Sequence, residues 1–186
     1  MNDLDRHLCL WINGWPDWFS PFLTFFSIAM EYVQVKLFFA VLLIGMIVSS
    51  SRARVAALLA VLACGIGNGL TDILKHAFPM HRPFQPQALG ELIVTRVGTA
   101  NSMGTASAHA ANMAALAMVT TMLLGRWGWP WIAIAVLTGF SRVYVGAHFP
   151  SQVLLGWTCG ILAGLLCVGG YKFVTAGKSK APNARS

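Results

Sequence analysis

Three short clusters in this sequence carry side chains suited to holding and attacking an anion. The first is Lys75 with Arg82 and Pro83, the second Ala106-Ser107-Ala108-His109, and the third Ser141-Arg142 with His148 and Gln152. The chemistry that fits them is phosphoryl transfer. A transferring phosphoryl group spreads charge over its equatorial oxygens, and fixed cations in a low-dielectric site stabilise that charge. Arginine offers a planar fork for phosphate and lysine a point charge. Ser107 and Ala108 open an apolar run, so the start of that helix adds backbone N–H groups near the anion. Two histidines divide the remaining work: one attacks phosphorus as a neutral imidazole, and the other, protonated, donates to the leaving oxygen.

Each residue also has a plainer reading. Asn68, Thr71, Asp72 and Lys75 form one polar stripe on a helix, where Lys75 pairs with Asp72. Arg82 contacts lipid headgroups, and Arg142 snorkels from the end of an apolar helix. These readings work singly and fail jointly, because three cations then gather at one membrane face against the positive-inside preference. His7, His76 and His81 are read as satisfied polar residues.

The positioning elements follow from composition. Of 186 residues, 56% are hydrophobic and 10% charged, against about 25% charged in soluble domains. The expected fold is therefore all-α, an integral membrane bundle of about six transmembrane helices with a short N-terminal interfacial helix. That first helix covers Asp3 to Asn13, with Leu4, Leu8, Trp11 and Ile12 on its apolar side. The six apolar runs are Phe19 to Met30 (short for a span, with Pro21 near its start), Val33 to Val48, Val55 to Ile73, Ser107 to Leu124, Trp129 to Val145 and Val153 to Val174. Seven tryptophans suit interfacial belts. The stretch from His76 to Ala106, with Pro79, Pro83 and Pro86, reads as a structured loop. Within it, Gln85 to Thr105 carries no legible specificity signal. Residues 1–176 form one membrane domain and 177–186 a disordered basic tail. Cys9, Cys64, Cys159 and Cys167 form no CxxC pair and read as small buried hydrophobes. Asp3 and Asp5 rule against a cleavable signal peptide. The formal charge of +7 is scattered, not clustered on one face, which excludes a nucleic-acid partner.

If six spans alternate, Arg52, Arg54, Arg126 and Lys172 share one side with Arg6, Lys178, Lys180 and Arg185. That is eight of the thirteen basic residues, so this side and the C-terminus are expected in the cytoplasm. Lys36, Lys75, Arg82, Arg96 and Arg142 then face the periplasm or cell exterior across a plasma or inner membrane.

The three clusters resemble the three-part signature of the type 2 phosphatidic acid phosphatase superfamily, K-x6-RP, PSGH and SR-x5-H-x3-D. Here they read Lys75-x6-Arg82-Pro83, Ala106-Ser107-Ala108-His109 and Ser141-Arg142-x5-His148-x3-Gln152. The resemblance covers residues from about 70 to 160 with full spacing. It implies that Lys75, Arg82, Ser107, Ala108 and Arg142 bind phosphate, that His148 forms a phosphohistidine, and that His109 serves as acid and then base. It implies no metal or cofactor. The substrate it implies is a lipid phosphate, with membrane lipids as surroundings and no obligatory protein partner evident. The short chain and the Arg-Pro-Phe at Arg82 to Phe84 look closest to bacterial undecaprenyl diphosphate phosphatases. Phosphatidylglycerol phosphate, phosphatidic acid and lipid A phosphates are the alternative substrates, and a phosphotransferase would use the same intermediate.

This chain departs from the pattern at three positions. Pro becomes Ala106, Gly becomes Ala108, and the family Asp becomes Gln152. An amide at Gln152 carries no charge and is able to select the wrong imidazole tautomer; an Asp-to-Asn change in a serine protease costs about 10⁴ in turnover. Two expectations follow. Asp72 or Glu31 supplies the missing charge, or Gln152 marks a slow enzyme or a lipid-phosphate binder without turnover.

Overall fold

The computed structural model describes residues 2–99 and 102–179. Its regular elements are all helical. The N-terminal helix α1, Asp3–Asn13, starts where the Asn2 side chain accepts from Leu4 N. Asp3 and Asp5 in its first turn complement the helix dipole. Cys9, Ile12, Asn13 and Asp5 face inward, while Leu4, Leu8 and Trp11 are exposed. The apolar side expected for α1 is therefore three residues wide, because Ile12 turns into the core.

Six helices follow, the number expected: α2 (Ser20–Ile28), α3 (Val33–Ser49), α4 (Ser51–Ala77), α5 (Ala108–Leu124), α6 (Trp129–Tyr144) and α7 (Pro150–Ser179). Serine side chains cap two of them. Ser50 accepts from Ala53 N at 3.2 Å and Ser107 from Ala110 N at 3.4 Å. α4 stops at Phe78, where Pro79 disfavours a helical predecessor. Gly125 ends α5 with φ +62°, a conformation L side chains avoid. The apolar run Ala108–Tyr144 folds back there, so α5 packs along α6 as well as against α4 and α7. By length and composition, Ser51–Ala77, Ala108–Tyr144 and Pro150–Ala176 suffice to cross a membrane, as does α2 with α3 if that bent pair is one span.

α2 corrects one expectation. Its nine residues extend about 14 Å, short of a hydrocarbon core of about 30 Å. The chain turns by 64° between α2 and α3. Both flanks of α2 stay at the end of the bundle where α6 finishes: Pro16 O accepts from Tyr144 Oη, and Ser27 meets Arg142. α1 lies at that end too. Asn13 donates to Tyr144 O at 2.8 Å and to Val94 O at 2.9 Å. The Asp5 carboxylate accepts from Ser151 N at 2.9 Å and Ser151 Oγ at 2.6 Å, capping the start of α7. Arg6 therefore sits with the cluster residues and not with Arg52 and Arg54. The cause is that α2 is too short to carry the chain across.

The loop after α4 is structured, as expected. Gly104 N donates to Met80 O, Thr105 Oγ1 to Phe78 O, and Arg96 N to Val145 O. The cysteines are free, with Cys9, Cys159 and Cys167 buried. α7 runs to Ser179, so the helix includes the first residues of the expected tail. Residues 180–186 of that tail lie outside the described residues.

Candidate active site

The ends of α4 and α6, the starts of α5 and α7, and the long loop meet at one end of the bundle. His148, in the turn before α7, is 3% exposed. Its Nδ1 lies 3.1 Å from Gly104 O and 3.1 Å from Gln152 Oε1. Its Nε2 lies 3.0 Å from Arg82 Nη1. A carbonyl only accepts and a guanidinium only donates. Nδ1 therefore carries the proton, and the Nε2 lone pair points toward Arg82.

Gln152 is fully buried, and its amide has one orientation. Oε1 accepts from Phe149 N at 3.2 Å as well as from the imidazole, and Nε2 donates to His81 O at 2.9 Å. The side chain reaches back to the N–H before its helix, as in a capping box. The concern that an amide selects the wrong tautomer is answered by these contacts: Gln152 presents its oxygen to Nδ1. Neither Asp72 nor Glu31 bonds the ring. Asp72 takes Lys75 at 2.9 Å, and the charges acting on His148 are Arg82 and Arg142. The expected rescue of the missing carboxylate by those acids is not found. Two neutral oxygens, of Gln152 and Gly104, do the holding.

Burial, and then the charges of Arg82 and Arg142, push the His148 pKa well below the ordinary imidazole value; the bonds to Gln152 and Gly104 oppose this only in part. The ring is neutral at pH 7.

Arg82 is 5% exposed and pinned on three sides. Nε donates to Ser102 O at 2.7 Å, Nη2 to Ser102 Oγ at 3.1 Å, and Nη1 to Ala147 O at 3.2 Å. Arg142 is buried, with Nη1 on Ser27 O and Ser27 Oγ. Its Nε–H is buried without a partner, a donor placed for an acceptor that the protein does not supply. Arg82 and Arg142 line one small recess with Thr95, Val97, Gly98 and Thr99 of the loop. The charged groups near His109 are Arg142, Arg82 and Lys75. The five predicted residues thus share one neighbourhood. Its donor set is cationic, which suits an anion and not a metal ion.

Ser107 differs from expectation in one respect. Its N–H donates to Gln152 O at 2.9 Å, so its backbone is committed to fixing α5 against α7. The N–H groups at the start of α5 that remain for an anion are those of Ala108 and His109. Sequence reasoning missed Ser27, Ser102 and Gly104. A Cβ at Gly104 would fall 2.7 Å from Arg82 Cγ and 2.8 Å from Gln152 Oε1, so this position must be glycine for both side chains to keep their places.

Beside the site a cleft of about 940 Å³ opens between α2, α3, α4, α5 and α6. His109, Asn112 and Asn68 line it near the site, Phe38, Phe39 and Met113 along its length, and Trp127 and Trp131 at its far end.

The sequence profile of the family described as the PAP2 superfamily matches residues 54–175, most of the bundle and all three clusters. The chain belongs to the PAP2 superfamily. Within it, the chain is 46% identical over 39 residues to undecaprenyl-diphosphatase BcrC of Bacillus subtilis, covering 21% of this chain and 20% of that protein. It is 45% identical over 51 residues to an undecaprenyl-diphosphatase of Sulfolobus acidocaldarius, covering 26% and 25%. The matched stretch thus spans a quarter or less of those relatives. Two crystal structures share the PAP2 fold at 22% identity. Aquifex aeolicus LpxE superposes with a TM-score of 0.72 over 89% of this chain and 95% of that one. The PAP2-type phosphatidylglycerolphosphate phosphatase of Bacillus subtilis superposes with 0.70 over 94% and 89%.

Proposed function

We propose that this PAP2 protein is a membrane lipid phosphatase that removes the terminal phosphate of a lipid phosphate or diphosphate through a phosphohistidine at His148. The observation that carries this reading is the His148 ring: buried, neutral, with Nδ1–H held by two oxygens and Nε2 aimed among cations. Nε2 attacks phosphorus while the bond to the lipid oxygen breaks, and His109 donates its proton to that oxygen. Water then attacks the phosphorus as the Nε2–P bond breaks, His109 takes the water's proton, and inorganic phosphate leaves the neutral His148 ring. Arg82, Arg142 and Lys75 hold the equatorial oxygens, Arg142 through its unpartnered Nε–H. In the first step Nδ1 keeps its proton, so the ring becomes a cation that the Gln152 and Gly104 oxygens stabilise without a formal charge.

The apolar cleft suits a lipid tail entering from the side. Undecaprenyl diphosphate is the preferred substrate, because the relatives of Bacillus and Sulfolobus carry that activity in their names. Outside the three clusters, the described residues put Arg52, Arg54, Arg126, Lys172 and Lys178 at the far end of the bundle against Arg6, Lys36 and Arg96 at the site end, which supports a cytoplasmic end for α7 and an outward-facing site. Phosphate release from purified protein, compared across polyprenyl diphosphate, phosphatidylglycerol phosphate, phosphatidic acid and lipid A phosphates, tests the reading. Release from the first at the highest kcat/KM is expected, and release from none overturns it.

The pH dependence follows from the His148 environment. Attack needs the neutral ring, so activity is lost as pH falls through the His148 pKa. That pKa is depressed, which puts this limb below the ordinary imidazole range. Gln152→Glu keeps an oxygen at Nδ1 and adds a negative charge, favouring the protonated ring. The acid limb of kcat/KM is expected to move to higher pH in Gln152→Glu; an unmoved or downward-moved limb contradicts the assignment of His148 as the attacking group.

A further inference from the structure

The cleft beside His109 is mostly apolar, and beyond His109 its polar lining is Gln34, Thr138 and two carboxamides on facing helices, Asn112 and Asn68. Asn112 lies one turn along α5 from His109, about 4.5 Å deeper into the bundle, and Asn68 faces the same cleft from α4. The two helices touch at this level, where Cys64 Sγ donates to Asn112 O at 3.5 Å, one turn from Asn68. Among the described residues neither side-chain amide finds a hydrogen-bond partner, and Asn112 Oδ1 is buried without one. That leaves Nδ2 as the atom Asn112 presents to the cleft. A buried acceptor left without a donor, as Asn112 Oδ1 is, costs about 1–3 kcal/mol, and a leucine would fill the same space without that cost. The described residues around the pair offer the two amides no hydrogen-bond partner, whereas a ligand placed at His109 reaches them.

We propose that Asn112 and Asn68 form a subsite that hydrogen-bonds an oxygen acceptor on the part of the lipid that keeps its tail when the phosphate leaves. This rests on the phosphatase reading above and extends it to the leaving side. A phosphorus held by Arg82 and attacked by His148 puts its leaving oxygen at His109. The next acceptor along the lipid then falls one turn deeper, at the two amides. That acceptor is an oxygen of the remaining phosphate in a polyprenyl diphosphate, or an ester carbonyl in a glycerophospholipid phosphate. Both present lone pairs to amide N–H donors.

The test measures kcat/KM of purified protein in detergent micelles for a polyprenyl diphosphate, a glycerophospholipid phosphate and a straight-chain alkyl monophosphate, which has no acceptor beyond its bridging oxygen. Asn112→Leu and Asn68→Leu remove the amides on separate helices, and Asn112→Ser covers the case in which leucine disrupts folding. The ratio of kcat/KM for the acceptor-bearing substrate to that for the alkyl phosphate is expected to fall about tenfold, the worth of one good hydrogen bond. Which of the two lipids loses more identifies the source of the acceptor. An equal fall on all three substrates marks a packing role and overturns the subsite, as does no change. A wild-type protein that releases phosphate from none of the three fails the phosphatase reading itself, a result distinct from an unchanged ratio.

Discussion

Replacing His148 by alanine is expected to lower phosphate release by about 10⁴-fold or more, the scale on which enzymes lose turnover when the covalent nucleophile is deleted. The ring occupies a position that no other side chain is able to fill. Its two nitrogens are addressed separately by Gly104 O and Gln152 Oε1 on one side and Arg82 on the other. The variant keeps Arg82, Arg142 and Lys75, so binding of the lipid phosphate should persist while turnover stops. A filter-binding or thermal-shift measurement with the lipid substrate separates the two. Brief incubation of wild-type protein with substrate labelled in the terminal phosphate, followed by an alkaline quench, should leave label on the protein, and His148→Ala should carry none. Turnover within tenfold of wild type in His148→Ala ends the covalent mechanism.

The second large effect is on folding. Gly160 lies on α7 where it meets α5, and a Cβ there would fall 2.1 Å from Ala111 O and 2.9 Å from both Ala111 C and Ala114 Cβ. These atoms include helix backbone, which gives little way. Gly156 and Gly164 make the same kind of approach to Ser107 O and to Met118. Gly160→Val forces the two helices apart, with an expected cost of about 3 kcal/mol. Because the start of α5 carries Ser107 and His109, and the start of α7 carries Gln152, activity should fall with stability. Gly170→Ala supplies the comparison in the same helix: no atom lies within 4 Å of the added Cβ, so the change should be neutral or stabilising by up to about 1 kcal/mol. Thermal midpoints in detergent that move alike for Gly160→Val and Gly170→Ala contradict the packing argument.

The membrane bundle was legible because lipid as solvent leaves a coarse mark: long apolar runs separated by basic or proline-rich breaks. The cationic cluster was legible for a related reason, since charge at a membrane face is costly and stands out. What stayed hidden is local and cooperative. Ser27 is one small residue in an apolar run, and nothing in its neighbours announces that it accepts from Arg142. Gly104 sits in a loop with several other small residues, and its role comes from two side chains far away in sequence. The meaning of Gln152 turned on amide orientation, which its contacts with Phe149 N and His81 O decide and which residue type alone leaves open. The placement of Arg6 failed because counting spans assumes that each apolar run crosses, and α2 is nine residues long.

The bond between Asp5 and Ser151 also decides how the protein should be handled. Asp5 seats the residue next to Gln152, so a purification handle or fluorescent fusion joined at the amino end pulls on the helix that steadies the catalytic turn. The far end of α7 lies about 45 Å away along the same helix, and a label attached there leaves that turn undisturbed.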